Sequence, residues 1–308
     1  MARVFCKNTG TFKEFQEGTM LLDIIGEFNF ERPYEIIAAK VNNVAQGLKF
    51  RLYNNRDIEF LDYRTYIGRN VYCRSLCFLL YKAALDIFPN CKVVMRRPIS
   101  KGFFCSIDKG DGSGLEATDI DLIKKRMSEI VAEAMPFHRH EVPIAEAIDV
   151  FRQLGHMDKV KLLETCGEVY ISYYTLGGTA DYYYDVLVPD AGYLKVWDLT
   201  PYRGGALLRV PDRHKPEALA PFFEQPKTFD VFSESIKWNN IMGLDNVGDV
   251  NQACLKGKAT DLIEVAEALQ EKKIVQIAEE IDRRYHSEQK VRIVLITGPT
   301  SSGKSTFC

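Results

Sequence analysis

The chain lacks the features that mark membrane and secreted proteins. No apolar run approaches the roughly 20 residues that a membrane-spanning helix needs, and no signal-peptide pattern opens the sequence. The eight cysteines are irregularly spaced and include no C-x-x-C pair, which favours reduced thiols in a cytosol over a disulfide framework. The sequence therefore predicts a cytoplasmic protein with no membrane partner.

Charge of one sign is also not in excess. The formal net charge is −2, so the chain as a whole has no electrostatic attraction to nucleic acid, although a local basic patch remains open. A hydrophobic content of 46% over 308 residues is that of an ordinary globular protein and predicts two domains or a little more. We see no internal repeat and no low-complexity tract.

The first 62 residues read as a small α+β unit. Two strand-like segments flank the tight-turn sequence Asn8-Thr9-Gly10, which predicts a hairpin. Thr19 is placed to cap a helix, and two further strands are predicted over 35–41 and 48–52. The order strand, strand, helix, strand in this length favours a β-grasp, ubiquitin-like fold.

Residues 63–225 are predicted to form a larger α+β domain. Its predicted helices cover 70–88, 119–135 and 141–154. Its predicted strands lie at 93–95, 102–107, 169–176, 181–187, 193–199 and 206–210. Pro211, Pro216, Pro221 and Pro226 then predict a rigid, extended connection rather than more core. Residues 226–290 are predicted to be a helical linker, with a break near Gly243.

The final residues, 291–308, contain a complete phosphate-binding motif. The pattern G-x-x-x-x-G-K-[ST] follows a strand-like run over 291–297, which is the context that the motif needs. In such a loop Lys304 would neutralise phosphate charge and the Ser305 hydroxyl would ligate Mg²⁺. The residues expected to bind ATP are Gly298, Pro299, Thr300, Ser301, Ser302, Gly303, Lys304, Ser305 and Thr306.

Phosphoryl transfer needs further groups, which the chain would have to supply beyond Cys308. The sequence therefore predicts the front part of a longer kinase, cut at the start of an α/β catalytic domain. No catalytic residue is expected within the 308 residues. In the longer protein the cofactors would be ATP and Mg²⁺.

Three blocks of sequence resemble known families. Residues 1–62 resemble the TGS domain of threonyl-tRNA synthetases. The blocks 70–80, 88–92, 98–104 and 181–192 resemble the second additional domain of the same synthetases. With a phosphate-binding loop behind them, the modules look like those of bacterial uridine-kinase-like nucleoside kinases. This resemblance implies a nucleoside 5′-hydroxyl as phosphate acceptor in the whole protein.

The resemblance also identifies a degenerate zinc site. The synthetase domain pairs H-x-x-x-H on a helix with a later Cys and His, since residues i and i+4 share a helix face. The matching positions here are Cys73, Cys77, Tyr183 and Leu187. Tyrosine and leucine cannot complete a Cys/His site, so we expect no zinc and doubt hydrolytic editing.

Other readings stay open. One is an editing hydrolase for mischarged tRNA, and another is an RNA-binding module derived from the synthetase. The cluster His138, His140 and Glu141 is either a metal site or a solvated segment. Six tyrosines either stack on a base or divide between core and surface: Tyr170, Tyr173, Tyr174, Tyr182, Tyr183 and Tyr184.

Overall fold

The computed structural model describes residues 1–288 and 290–307. Two compact units contain these residues. The first comprises Met1–Leu154 and Glu168–Asp230, and the second comprises Gly155–Gly167 and the chain from Val231 onward. The fold is α+β, with several sheets in the first unit and helices in the second. No helix among the described residues has the length and apolar character that crossing a membrane requires.

The N-terminal part of the first unit is a β-grasp. Its sheet has the order β2-β1-β7-β4-β5, in which β1 and β7 are parallel. The strands are β1 (Ala2–Cys6), β2 (Thr11–Phe15), β4 (Ile36–Val41), β5 (Val44–Gln46) and β7 (Arg56–Asp62); the short strands β3 (Thr19–Met20) and β6 (Arg51–Leu52) pair separately. The predicted hairpin is confirmed, and Gly10 adopts the positive φ of 69° that its turn requires.

The helix of the β-grasp differs from its prediction. Helix α1 covers only Leu21–Ile24 and continues as a 3₁₀ turn, Ile25–Glu27. Thr19 does not cap it, because the Thr19 hydroxyl donates to the carbonyl of Gln16 (2.7 Å) and Thr19 itself lies in β3. Met20 holds the N-cap position instead.

The rest of the first unit is built around one long helix, α2 (Tyr66–Ile87). Thr65 caps it by accepting a hydrogen bond from the Gly68 amide. Because its residues are apolar almost all round, α2 is buried on several faces. It packs on α3 (Ala117–Ala132), on strands β4 and β7 of the β-grasp, and on strands of two further sheets. This helix carries the residues considered below.

Two further sheets flank α2. The four-stranded sheet has the order β13-β14-β9-β8 and contains β8 (Lys92–Ile99), β9 (Gly102–Asp108), β13 (Asp198–Tyr202) and β14 (Gly205–Arg209). The three-stranded sheet has the order β10-β11-β12 and contains β10 (Phe137–Pro143), β11 (Tyr170–Leu176) and β12 (Thr179–Asp181). Pro98 lies inside β8 rather than beside it, which the sheet tolerates because β8 is an edge strand with a bulge there.

Helix α4 (Ile144–Gln153) begins three residues later than predicted, since 141–143 still belong to β10. The predicted strands over 181–187 and 193–199 are mostly irregular; Ala191–Tyr193 is a 3₁₀ turn. Side chains of α2 bond to backbone groups of these segments in place of strand partners: Arg74 donates to the Val186 carbonyl, and the Tyr72 hydroxyl bonds to the Val196 backbone.

The proline-rich segment packs onto the first unit and does not extend away from it. The Ser100 hydroxyl accepts a hydrogen bond from the Phe223 amide, and the Ser100 amide donates to Gln225 Oε1, both at 2.8 Å. Ala220 is buried, and its carbonyl accepts from Arg209. The prediction of a connection without core contacts is therefore wrong, because side-chain partners distant in sequence hold the segment.

The second unit contains α5 (Met157–Leu163), α7 (Val247–Leu255), α8 (Ala259–Tyr285) and a last turn, α9 (Lys304–Phe307); α6 (Pro226–Met242) enters it. Lys161 of α5 pairs with Asp249 of α7 at 2.7 Å, and Lys273 pairs with Glu234 at 2.7 Å. The helical content and the break after α6 were predicted, whereas α5 was missed. The four-part division at 62, 225 and 290 stays a prediction.

One buried hydroxyl joins α2 to the chain after β12. Ser75 Oγ donates to the Val71 carbonyl (2.8 Å) and accepts from the Val188 amide (3.0 Å). Both Ser75 and Val188 are buried. Removing the hydroxyl would leave the Val188 N–H without a partner away from water.

We expect Ser75→Ala to lower the free energy of unfolding by about 1–3 kcal/mol because of that unpaired amide. Ser128→Ala is the matched control: Ser128 Oγ makes the same bond one turn back, to the Lys124 carbonyl, but on an exposed face with no second partner. Its change should stay within about 0.5 kcal/mol. Urea unfolding of both variants measures the difference; equal stabilities would refute the role of Ser75.

Candidate functional site

Helix α2 and the segment after β12 bring the degenerate zinc positions together. Cys73 and Cys77 lie one turn apart on α2. Tyr183 packs on Phe78 of the same helix, with ring centroids 5.4 Å apart. Leu187 is buried next to Val188, which Ser75 holds against the helix. The sequence match of these positions therefore corresponds to a spatial neighbourhood.

The two thiols are held in their protonated form. Burial raises the pKa of Cys73 to about 11, an effect opposed by a hydrogen bond to Tyr63. Burial also raises the pKa of Cys77 well above its usual range, and the nearby thiol of Cys105 adds to the rise. A metal ligand must be a thiolate, so this environment disfavours coordination.

The third of the four positions holds the phenol of Tyr183. Burial raises its pKa far above the ordinary value, and Asp181, which is hydrogen-bonded to it, raises the pKa further. Leu187 has no ligating atom. Among the described residues, no group of three or more His, Cys, Asp or Glu side chains could hold a metal ion. The arrangement is a packed polar cluster.

The rim of this cluster carries an arginine. Arg74 Nη2 pairs with Asp185 (2.8 Å) and donates to the Val186 carbonyl (3.3 Å). Its guanidinium lies over the ring of Tyr184, 5.8 Å from the centroid. Its Nε is buried and has no hydrogen-bond partner. Arg74 therefore retains donor capacity that the protein itself does not use.

A second charged row crosses the three-stranded sheet. Arg139 lies opposite Tyr174, which lies opposite Asp181, so one side chain from each strand shares this face. Burial raises the pKa of Tyr174, whereas Arg139, a backbone contact from Leu187 and Arg74 lower it. Both arginines thus act on the same phenol. Sequence reasoning missed this row because its members are paired only by register.

The histidine pair lies on a strand rather than in a loop. His138 and His140 of β10 lie opposite Thr175 and Tyr173 of β11, so the two histidines share one face of the sheet. The His140 ring stacks on Tyr173 with centroids 4.9 Å apart, and its Nε2 lies 2.9 Å from Thr175 Oγ1. Glu141 alternates to the opposite face and cannot complete a metal site with them.

The tyrosines divide between core and surface. Tyr173 and Tyr174 are buried, whereas Tyr170 and Tyr184 have 62% and 83% of their surface exposed. Tyr182 and Tyr183 are half-buried. Only the two exposed rings are available to a partner in solution.

The phosphate-binding motif lacks its predicted strand. Residues 291–297 form no strand, and Ile293 and Leu295 are 77% and 86% exposed. A strand needs a neighbour to pair its backbone, and none of the described sheets provides one here. Lys304 Nζ donates to the carbonyls of Gly298 (3.1 Å) and Pro299 (2.7 Å), so the loop closes on its own lysine.

Comparison with known proteins identifies similar chains. A threonine–tRNA ligase of Porphyromonas gingivalis is 25% identical over 195 residues, which is 63% of this chain and 30% of the relative. Those of Azobacteroides pseudotrichonymphae and Francisella tularensis are each 24% identical, over 200 and 195 residues, covering 65% and 63% of this chain and 31% and 30% of the relatives. No protein-family model matches the chain.

These relatives are synthetases, not kinases. The matching part is their N-terminal region, and the chain spans about three tenths of their length. The assignment to a uridine-kinase-like kinase with a P-loop is therefore wrong. The phosphate-binding motif led to a wrong family assignment because it is a short local pattern, whereas the similarity to threonine–tRNA ligases covers nearly two thirds of the chain. Binding of ATP and Mg²⁺ at Gly298–Thr306 stays an untested prediction.

Burial of the thiols gives a measurable expectation. At pH 8 in the native protein, Cys73, Cys77 and Cys105 should resist alkylation by iodoacetamide, because their raised pKa values leave almost no thiolate. Cys166 and Cys254 are exposed and should react readily. Peptide mass mapping after a timed reaction measures both groups.

The same reaction in 6 M guanidinium chloride is the control, since all sites should then react alike. Fast native labelling of Cys73 or Cys77 would contradict the protonated, packed cluster. Cys308 lies outside the described residues and is left out of the comparison.

Proposed function

We propose that this chain is an RNA-binding module without hydrolytic activity, related to the N-terminal region of threonine–tRNA ligases. One observation carries the proposal: the four positions that the resemblance matches to a zinc site hold Cys73, Cys77, Tyr183 and Leu187, of which Cys73 and Leu187 are buried and Cys77 and Tyr183 are partly buried. Metal-assisted hydrolysis needs a bound ion with an open coordination position, and this cluster supplies only two thiols, both held protonated by burial.

RNA is the partner because the relatives are named for a tRNA substrate and the chain keeps an exposed arginine, Arg139, and an exposed tyrosine, Tyr184, in this part of the fold. A net charge of −2 means that such binding must come from a local surface rather than from the overall field. The cytoplasmic location stays a prediction from the scattered cysteines.

The first test is binding of the purified chain to unmodified tRNA, followed by fluorescence anisotropy at increasing salt. We expect binding at 50 mM salt and roughly tenfold weaker binding at 200 mM, which corresponds to two or three released counterions. An acidic globular protein of similar size is the control for nonspecific retention. Absence of any tRNA binding at 50 mM salt would refute the proposal.

The second test separates binding from hydrolysis. Mischarged aminoacyl-tRNA should lose its amino acid at the spontaneous rate in the presence of the chain, and metal analysis should find far less than one zinc per chain, because the four positions lack a Cys/His set. Near-stoichiometric zinc together with accelerated deacylation would establish the editing hydrolase instead.

A further inference from the structure

Tyr184 is the most exposed tyrosine of the six near the altered cluster. It follows β12 and precedes Val186 and Leu187, both of which are buried. Its backbone is therefore fixed next to the core while its ring, with 83% of the residue surface accessible, projects outward. Leaving a large ring in water buries no apolar surface, so packing does not account for its position.

Arg74 orders this ring from one side. The guanidinium is 16% exposed and is held by Asp185 and by the Val186 carbonyl, so it is a fixed group rather than a mobile surface charge. The guanidinium lies over the ring, 5.8 Å from its centroid, while 83% of the Tyr184 surface stays accessible. The ring therefore keeps a free face on which a further flat group can stack.

The charges around the ring indicate what fits that position. Beside the ring, the Arg74 guanidinium is paired with the carboxylate of Asp185 at 2.8 Å. Because its charges are balanced, such a surface does not attract phosphate groups in general. It offers both guanidinium donors and carboxylate acceptors, which match the mixed donor and acceptor edge of a nucleobase.

We propose that Tyr184, positioned by Arg74, is a stacking platform for an unpaired base of single-stranded RNA. The inference deepens the proposed function and rests on it. A base inside a duplex has no free face, so the platform selects unpaired nucleotides. Arg74 acts as a positioning residue, because it orders the ring and does not itself supply the stacking surface.

The experiment uses the full chain and a fluorescein-labelled single-stranded RNA of ten nucleotides, with anisotropy as the readout. Tyr184→Ala should weaken binding about tenfold, within the range measured when a stacking aromatic is removed. Tyr184→Phe should bind like the wild type, because the ring is kept. Tyr53→Ala is the matched control, since Tyr53 is 60% exposed but lies in the β-grasp.

The outcomes distinguish the two proposals. Wild-type binding with an unchanged affinity in Tyr184→Ala overturns the platform and leaves RNA binding in place. No binding of the single strand or of tRNA by the wild type overturns the proposed function and the platform with it. Tyr184→Ala should melt at the wild-type urea concentration, so a folding defect is readily detected; equal losses in Tyr184→Ala and Tyr53→Ala also overturn the platform.

Discussion

The rotation of α2 is the constraint on which the rest of the site depends. Ser75 uses its hydroxyl twice, once within α2 and once on the Val188 amide, and both bonds are buried. A helix that is apolar on several faces could pack in more than one rotational setting about its own axis with similar free energy. A single buried hydrogen bond selects one of these settings. With Ser75 fixed, its neighbour Arg74 pairs with Asp185, and Cys77 lies near Tyr183. The position of Arg74 and the packing of the two thiols thus depend on the same rotational setting of the helix.

The four positions that the resemblance matches to a zinc site are packed without charge. A zinc site requires deprotonated ligands whose charge the ion neutralises. Here burial keeps the thiols protonated and Tyr183 shares a hydrogen bond with Asp181, so no uncompensated charge remains in the interior.

Local patterns in the sequence predicted local structure well. The Asn8-Thr9-Gly10 hairpin and the long helix α2 were found because a tight turn and an apolar stripe are properties of neighbouring residues. The Thr19 cap failed, because the hydroxyl found a nearer carbonyl. The strand over 291–297 failed, because β-propensity cannot supply a partner strand.

Contacts between distant residues were not accessible from the sequence. Arg139 and Tyr174 are 35 positions apart, and they meet only because β10 and β11 pair in one register. The packing of the proline-rich segment depends on Ser100, more than a hundred residues earlier. The four positions that the resemblance matches to a zinc site lie near one another, and the protonation of Cys73 and Cys77 required the burial that only the fold reveals.

The overall charge bears on which kind of RNA a chain like this one can bind. A protein that relies on phosphate contacts gains affinity for duplex and single strand alike and needs a positive surface. This chain has a net charge of −2, and Arg74 and Arg139 near the cluster are both paired with carboxylates. In the proposed RNA-binding function, affinity then comes from stacking and from hydrogen bonds to base edges, both of which require bases that are not already paired. A weak dependence on salt and a preference for single strands are two consequences of the same shortage of positive charge.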